Sequence, residues 1–147
     1  MRALVVAAAL LTASPAFAEG ERVPAVTDPL VLKECGSCHM AFQPAFLPAR
    51  SWERVMDNLG DHFGEDVRLP PDTAAAICAT LTANAGTSRR FMRWVAPGGA
   101  PLRITDNPAF RREHSFPERV WANPKVVTRS NCPACHAAAE RGLYEDD

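Results

Sequence analysis

A five-residue pattern occurs twice in this chain: two cysteines separated by two residues and followed directly by a histidine. The copies occupy residues 35–39, Cys-Gly-Ser-Cys-His, and residues 132–136, Cys-Pro-Ala-Cys-His. C-x-x-C-H is the attachment sequence for c-type haem. Two thiols at that spacing reach the two vinyl groups on one edge of the porphyrin, and the histidine that follows lies beneath the ring, where it binds iron axially. The pattern therefore predicts two covalently bound haems.

The cysteines allow three other interpretations. Four thiolates could hold a zinc ion, the C-x-x-C pairs could be redox-active dithiols, or they could form two structural disulfides. A dithiol motif is typical of a thioredoxin-like βαβ context, which the sequence lacks. The histidine at the same offset in both copies favours haem over all three. The fifth cysteine, Cys78, is expected to be a small buried apolar residue. The predicted attachment residues are Cys35, Cys38, Cys132 and Cys135.

Two haems with two axial positions each need four ligands, and the chain contains four histidines. His39 and His136 directly follow the cysteines and are the proximal candidates, which leaves His62 and His114 for the sixth positions. Proximity pairs His62 with His39, 23 residues earlier, and His114 with His136, 22 residues later. A crossed pairing stays open.

Methionine is the alternative sixth ligand, and a Met/His site would have a higher reduction potential. Met40 directly follows a proximal histidine and can hardly reach the opposite face of the same ring. Met56 shares a helical stripe with His62 and is expected to pack. Met92 lies among arginines and aromatic residues, where core contacts are the expected role. Histidine is therefore the preferred ligand.

Helix signals are short and interrupted by many of the 13 prolines. An N-cap in residues 27–29, Thr-Asp-Pro, opens a first helix, and Ser51 is predicted to cap a second. A third is expected to run from residues 70–72 to a C-cap at Gly86. On the second helix, residues at spacings of three and four predict one buried face: Trp52, Val55, Met56, Leu59, His62 and Phe63.

Residues 95–101 contain Pro-Gly-Gly and are predicted to separate two lobes, residues 19–96 with the first haem and residues 97–147 with the second. The second lobe is expected to hold a helical turn at 107–113 and a final helix at about 133–141. No stretch alternates with period two. The predicted fold is mostly α with long loops, in two lobes, with negligible β-sheet. Because short helices bury little area, the haems are expected to fill the interior.

The first 18 residues have the pattern of a secretory signal peptide, with Arg2, an apolar run at 3–12 and a small-x-small cleavage site ending at Ala18. No later stretch approaches the roughly 18 apolar residues that a membrane helix needs. An exported, periplasmic protein without a membrane span in the mature chain is therefore expected. With a net charge of −1, the composition excludes a disordered acidic tail and a generally basic nucleic-acid binder.

Charge is unevenly distributed along the chain. Residues 19–88 carry a net charge of −5, residues 89–129 carry +6 and residues 130–147 carry −3. One interpretation is that these charges lie on solvated faces and cancel one another. The other is a polarised surface that steers a charged redox partner. The arginines of the basic segment are also candidates to pair with haem propionates, although a solvated role is expected for any one of them.

Further residues flank both motifs. In the first half they are Phe42, Pro44, Leu47-Pro48, Ser51-Trp52, Met56 and His62-Phe63-Gly64, and in the second they are Arg103-Ile104-Thr105, Phe110, His114, Ala139 and Gly142. This combination, over about residues 28–144, resembles the dihaem cytochrome c family. The resemblance implies a two-lobed helical fold with bis-histidine, low-spin haems, the first ligated by His39 and His62 and the second by His114 and His136. It also implies redox partners, either a small monohaem oxygen-binding cytochrome or a membrane cytochrome b.

Together these patterns predict a periplasmic electron-transfer protein rather than an enzyme. If both irons are six-coordinate, neither has a position for oxygen, peroxide or substrate, and two nitrogen ligands favour lower potentials than Met/His sites. The alternative is a small peroxidase-like dihaem enzyme in which His62 or His114 leaves the iron. A binding module stapled by zinc or disulfides is the third hypothesis.

Overall fold

The computed structural model describes residues 21–144, and the predicted signal peptide at residues 1–18 lies outside the described residues. In the described part the strands are two residues long, β1 Glu21–Arg22 and β2 Leu143–Tyr144, and they pair antiparallel. The prediction of a mostly helical fold with negligible sheet is confirmed. None of the helices within residues 21–144 has the length and apolar character needed to cross a bilayer. The α-helices are α1 Pro29–Cys35, α2 Ala49–Asp57, α3 Pro71–Ala83, α4 Arg89–Met92, α5 Pro108–Glu113 and α6 Glu118–Trp121.

Capping residues explain where the helices begin. The Asp28 carboxylate accepts hydrogen bonds from the backbone N–H groups of Leu30 (2.8 Å) and Val31 (3.1 Å), and Pro29 occupies the first helical position, where no donor is needed. α1 therefore begins as predicted. α5 repeats the arrangement, with an asparagine cap before a proline. Short 3-10 helices lie between these elements, at Pro44–Phe46, Leu59–Asp61, Ile104–Asp106, Cys132–Ala134 and Ala139–Arg141.

Two predicted caps are wrong. α2 begins at Ala49, so Ser51 lies inside the helix and is fully buried. α3 ends at Ala83, and Gly86 lies beyond its end. The backbone N–H of Gly86 donates to the Leu47 carbonyl (2.8 Å), and a side chain there would collide with neighbouring backbone. This glycine therefore allows a close approach of two segments rather than ending a helix.

The C-terminal end of α2 also differs from its prediction. The helix ends before Asn58, so His62 and Phe63 do not continue its apolar stripe. The Asn58 side-chain amide donates to the Asp61 carbonyl (3.0 Å) and competes with helical backbone bonding. Gly60 adds a further helix-breaking cost. His62 is therefore placed by the turn that follows the helix.

The predicted final helix at 133–141 is wrong. Two separate 3-10 turns, Cys132–Ala134 and Ala139–Arg141, occupy this stretch. Ala139 is completely buried, and its carbonyl accepts a hydrogen bond from the side-chain amide of Gln43 (2.8 Å). A tertiary contact thus overrides the local helix preference.

The hydrophobic core is small. α2 packs against α3, and the Trp52 indole N–H donates to the Pro44 carbonyl (2.8 Å). Phe110 of α5 and Met56 of α2 pack against this core from its edge. The buried residues of the cluster are Val31, Ala41, Leu47, Trp52, Ile77, Leu81 and Ile104.

Segments on either side of the 95–101 loop are tied together. The Asn107 side-chain amide donates to the Phe46 carbonyl (2.7 Å), and β1 pairs with β2. Gly142 has a left-handed backbone (φ 74°) and lies against the Val23 carbonyl, where a side chain would not fit. This glycine lets the chain turn into β2 and brings Tyr144 back to the N-terminal segment. The division into two lobes stays a prediction.

Candidate haem sites

The structure brings the four histidines together in two pairs. The ring centres of His39 and His62 are 6.4 Å apart, with planes inclined by 20°. Those of His114 and His136 are 6.1 Å apart, with planes inclined by 80°. Each pair combines the histidine of one C-x-x-C-H motif with one of the two remaining histidines. The grouping follows proximity in the sequence rather than a crossed arrangement.

These separations fit an iron between two imidazoles. Metal–imidazole bonds are about 2 Å long and a ring nitrogen lies roughly 1 Å from the ring centre, so two imidazoles on opposite sides of one metal have centres about 6 Å apart. Both observed distances match that value.

The second ring nitrogens support the same interpretation. Nδ1 of His39 donates to the Met40 carbonyl (2.7 Å), and Nδ1 of His114 donates to the Phe110 carbonyl (3.0 Å). A carbonyl only accepts, so Nδ1 carries a proton in each ring, which makes Nε2 the candidate metal-binding atom. Metal-bound histidines typically donate their other N–H in this way, which fixes tautomer and orientation.

A tight turn presents His62. His62 and Glu65 exchange backbone hydrogen bonds (2.8 and 3.3 Å), and the two residues between them both have positive φ, 59° at Phe63 and 105° at Gly64. Such a turn suits glycine and is strained for phenylalanine. The Asp61 carboxylate accepts from the Gly64 N–H (3.0 Å), and the Arg103 guanidinium lies 3.8 Å from the centre of the Phe63 ring. The Asp61 hydrogen bond and the Arg103 contact therefore both stabilise the strained turn.

The pKa directions at these sites agree with metal binding. Burial lowers the pKa of His62, and the charges of His39 and Arg103 lower it further, which favours the neutral imidazole that binds metal. Burial raises the pKa of Cys132 to about 11 and raises the pKa of Cys35 above its usual value. Redox-active C-x-x-C pairs depend on a lowered thiol pKa, so these buried thiols do not fit a dithiol catalyst.

The zinc and disulfide interpretations gain no support from the geometry. All five cysteines lie within residues 21–144 and none forms a disulfide. Within the same residues, the His, Cys, Asp and Glu side chains form no group of three or more that could bind a metal ion. Cys78 is half-buried rather than buried, so that part of its prediction is wrong. Burial, and then the charges of Asp57 and Glu53, raise the pKa of its thiol, which does not favour a reactive thiolate.

Aromatic side chains surround the second pair more closely than the sequence analysis anticipated. Phe110 stacks on His114 with ring centres 3.9 Å apart and planes inclined by 9°. Phe116 and Trp121 approach the same imidazole to 5.9 and 6.3 Å, and Tyr144 lies 5.4 Å from His136. The spacing of four residues between Phe110 and His114 was the available signal; the Tyr144 contact had none, because it depends on the turn at Gly142.

One aromatic ring is partly exposed beside each pair. Phe63, next to His62, is 43% exposed, and Phe116, beside His114, is 49% exposed. Each ring is available to pack against a flat apolar group such as a porphyrin.

The fold and the two attachment motifs define a helical c-type cytochrome with two haems. The sequence profile of the family "Dihaem cytochrome c" matches residues 31–144. The chain therefore belongs to the dihaem cytochrome c family, and it carries two covalently bound c-type haems and functions as a haem-based electron-transfer protein. No curated protein matches the chain.

Solved structures agree with this assignment. The chain is similar to the diheme cytochrome c from Rhodobacter sphaeroides, with 43% identity, a TM-score of 0.77, and coverage of 83% of this chain and 100% of that one. A second structure of DHC purified from the same organism has 44% identity, a TM-score of 0.70, and coverage of 82% and 99%. The diheme cytochrome from Shewanella baltica OS155 has 35% identity, a TM-score of 0.67, and coverage of 80% and 86%.

Proposed function

We propose that this protein is a periplasmic electron carrier in which each iron is held between two histidines. The observation that carries the proposal is the pair of imidazole separations, 6.4 and 6.1 Å, each next to an attachment motif. The first haem is attached to Cys35 and Cys38 and ligated by His39 and His62. The second is attached to Cys132 and Cys135 and ligated by His114 and His136.

Double histidine ligation determines what the sites can do. The bound haems supply a reversible one-electron couple. With His62 and His114 as ligands, neither iron would keep a position open for oxygen, peroxide or substrate, so electron transfer to and from outside partners would be the remaining function. Nitrogen ligands on both faces favour low potentials. The Nδ1 hydrogen bonds of His39 and His114 would orient each Nε2 for binding iron.

A redox partner is expected at an arginine face formed by Arg89, Arg93, Trp94 and Arg112. Arg93 and Arg112 lie 5.4 and 5.1 Å from the centre of the Trp94 ring, which is 41% exposed. Within residues 21–144, none of these three arginines forms an ion pair with a carboxylate. α5 carries Arg112 and ends directly before His114, so the face lies close to the second site. Its charge suits an acidic redox protein, a small monohaem cytochrome or the exposed part of a membrane cytochrome b.

Export supports the periplasmic location. Residues 1–18 have the pattern of a signal peptide cleaved after Ala18, and attachment of haem to C-x-x-C-H motifs is a reaction of exported chains in bacteria. The protein would then relay electrons between a membrane donor and a soluble haem protein or terminal acceptor.

Spectroscopy of the purified protein tests the proposal. A pyridine haemochrome assay should give two haems per chain. Ferric electron paramagnetic resonance (EPR) at neutral pH should show low-spin iron only, and the reduced protein should not bind carbon monoxide. A high-spin signal from either haem, with turnover of peroxide, would instead support the peroxidase-like alternative.

A further inference from the structure

We infer that Gln43 and Tyr144 are positioning residues that orient His136 on the second iron. The inference rests on the proposed ligation by His136. Neither residue belongs to a haem motif, and they lie 101 positions apart in the sequence. They meet because Gly142 and the pairing of β1 with β2 return the C-terminal segment to the N-terminal one.

Gln43 is completely buried and both ends of its amide are satisfied. Its Nε2 donates to the Ala139 carbonyl (2.8 Å), and its Oε1 accepts a hydrogen bond from the Tyr144 hydroxyl. The Ala139 carbonyl can only accept, so the amide orientation is fixed. A buried amide that lost either partner would pay an uncompensated desolvation penalty, which holds both contacts in place.

Both contacts lead to the same histidine. The Tyr144 ring lies 5.4 Å from the His136 ring, with planes inclined by 66°. The backbone N–H of Ala139 donates to the His136 carbonyl (2.9 Å). Gln43 thus supports the imidazole of His136 through Tyr144 and its backbone through Ala139, so one residue acts on both the ring and the main chain of the histidine.

Gln43, Tyr144 and the contacts between them form a bridge, and this bridge also starts beside the first site. Gln43 directly follows Phe42, whose ring lies 5.0 Å from the His39 ring. A single buried glutamine therefore lies between the segment of one proximal histidine and the ring of the other. Groups that orient a metal ligand tune the metal it binds, so this bridge is placed to set the potential of the second haem.

The test compares Tyr144→Phe and Gln43→Leu with the parent in a spectroelectrochemical titration and in ferric EPR. Tyr144→Phe keeps the ring packing and removes only the hydroxyl. A less well oriented imidazole donates less electron density to ferric iron and stabilises the ferric state less. Each variant should therefore raise the midpoint potential of the second haem and move the low-spin EPR signal of that haem. The other haem should not change. The double variant should shift by no more than the larger single shift, because both residues act through one bridge.

Thr80→Val is the matched control, since it removes a half-buried side-chain hydrogen bond, to Asp28 (3.0 Å), without touching either histidine pair. It should lower the melting temperature and leave both potentials unchanged. The inference is wrong if the bridge variants behave like this control, or if they shift both haems equally. A high-spin haem in the parent would show that the proposed ligation itself is wrong, whereas a fully low-spin parent with unresponsive variants would reject only the bridge.

Discussion

Replacing Gly64 by alanine should loosen His62 on the first iron. Gly64 has a φ of 105°, and a Cβ at this position would meet no atom within 4 Å, so the cost of the substitution is purely conformational. An L-residue with positive φ costs about 1–2 kcal/mol. That strain is released when the turn opens, so an external ligand that displaces His62 should bind about 5- to 30-fold more tightly to Gly64→Ala. Cyanide titration of the ferric protein, followed in the Soret band, measures this ratio.

Gly98→Ala provides the control. Gly98 also has a positive φ (73°), and a Cβ added there would likewise meet no atom within 4 Å, but it lies in the 95–101 loop. Both variants should therefore lose similar stability in thermal unfolding, whereas only Gly64→Ala should gain cyanide affinity. Equal cyanide affinity in the two variants would refute the idea that this turn holds His62 on the iron.

Other predictions test the remaining parts of the site. His62→Ala should keep both haems attached and bind one carbon monoxide per reduced chain, and a variant that binds none would exclude His62 as a ligand. Cys132→Ser should lower haem content and melting temperature because the apolar haem is lost from the interior, whereas Cys78→Ser should retain two haems. Equal haem content in the two variants would contradict the assignment of Cys132 as an attachment residue. Arg112→Gln should slow oxidation by the anion ferricyanide at low salt more than Arg111→Gln does, since Arg111 is already paired with Asp106 (2.9 Å). Oxidation by the cation hexaamminecobalt(III) should not slow in Arg112→Gln. Hydrogen bonds, first from the Val31 backbone and then from Thr80, lower the pKa of Asp28 below 3.8. The ionised Asp28 carboxylate therefore contributes its full stability above pH 3.8, and this contribution is lost as the pH falls through the lower pKa of the folded state. The melting temperature of Asp28→Asn should therefore fall less than that of the parent between pH 5 and 3.

Local sequence signals predicted the chemistry of the haem sites better than they predicted the structure that supports those sites. The C-x-x-C-H spacing places cysteines and proximal histidines by covalent geometry alone, and the count of four histidines left only two candidates for the other faces. The Asp28–Pro29 cap is equally local, and α1 begins where it predicts.

Two helical predictions failed, one because local side-chain hydrogen bonds end α2 and the other because of a distant contact. The helical stripe extended to His62 in the sequence, but Asn58 ends α2 and a turn with two positive φ values takes over. The stretch at 133–141 has a helical pattern, but Ala139 is buried against Gln43, 96 residues away. Propensity is a weak prior that tertiary contacts override, and a haem-binding loop is held mainly by such contacts.

The two sites are built alike but are not equivalent. In each, the second histidine lies just beyond the end of a helical segment, His62 after Leu59–Asp61 and His114 after α5. The turn at Phe63 and Gly64 presents His62, whereas the carbonyl and the ring of Phe110 orient His114. The imidazole planes are inclined by 20° in the first pair and by 80° in the second. The first pair borders the strained Phe63 turn and Arg103, whereas the second lies among aromatic rings near the arginine face. Because ligand orientation and surroundings tune a metal centre, the two haems should have different potentials if each is ligated by its histidine pair as proposed. Unequal potentials would give an electron a preferred direction through the molecule.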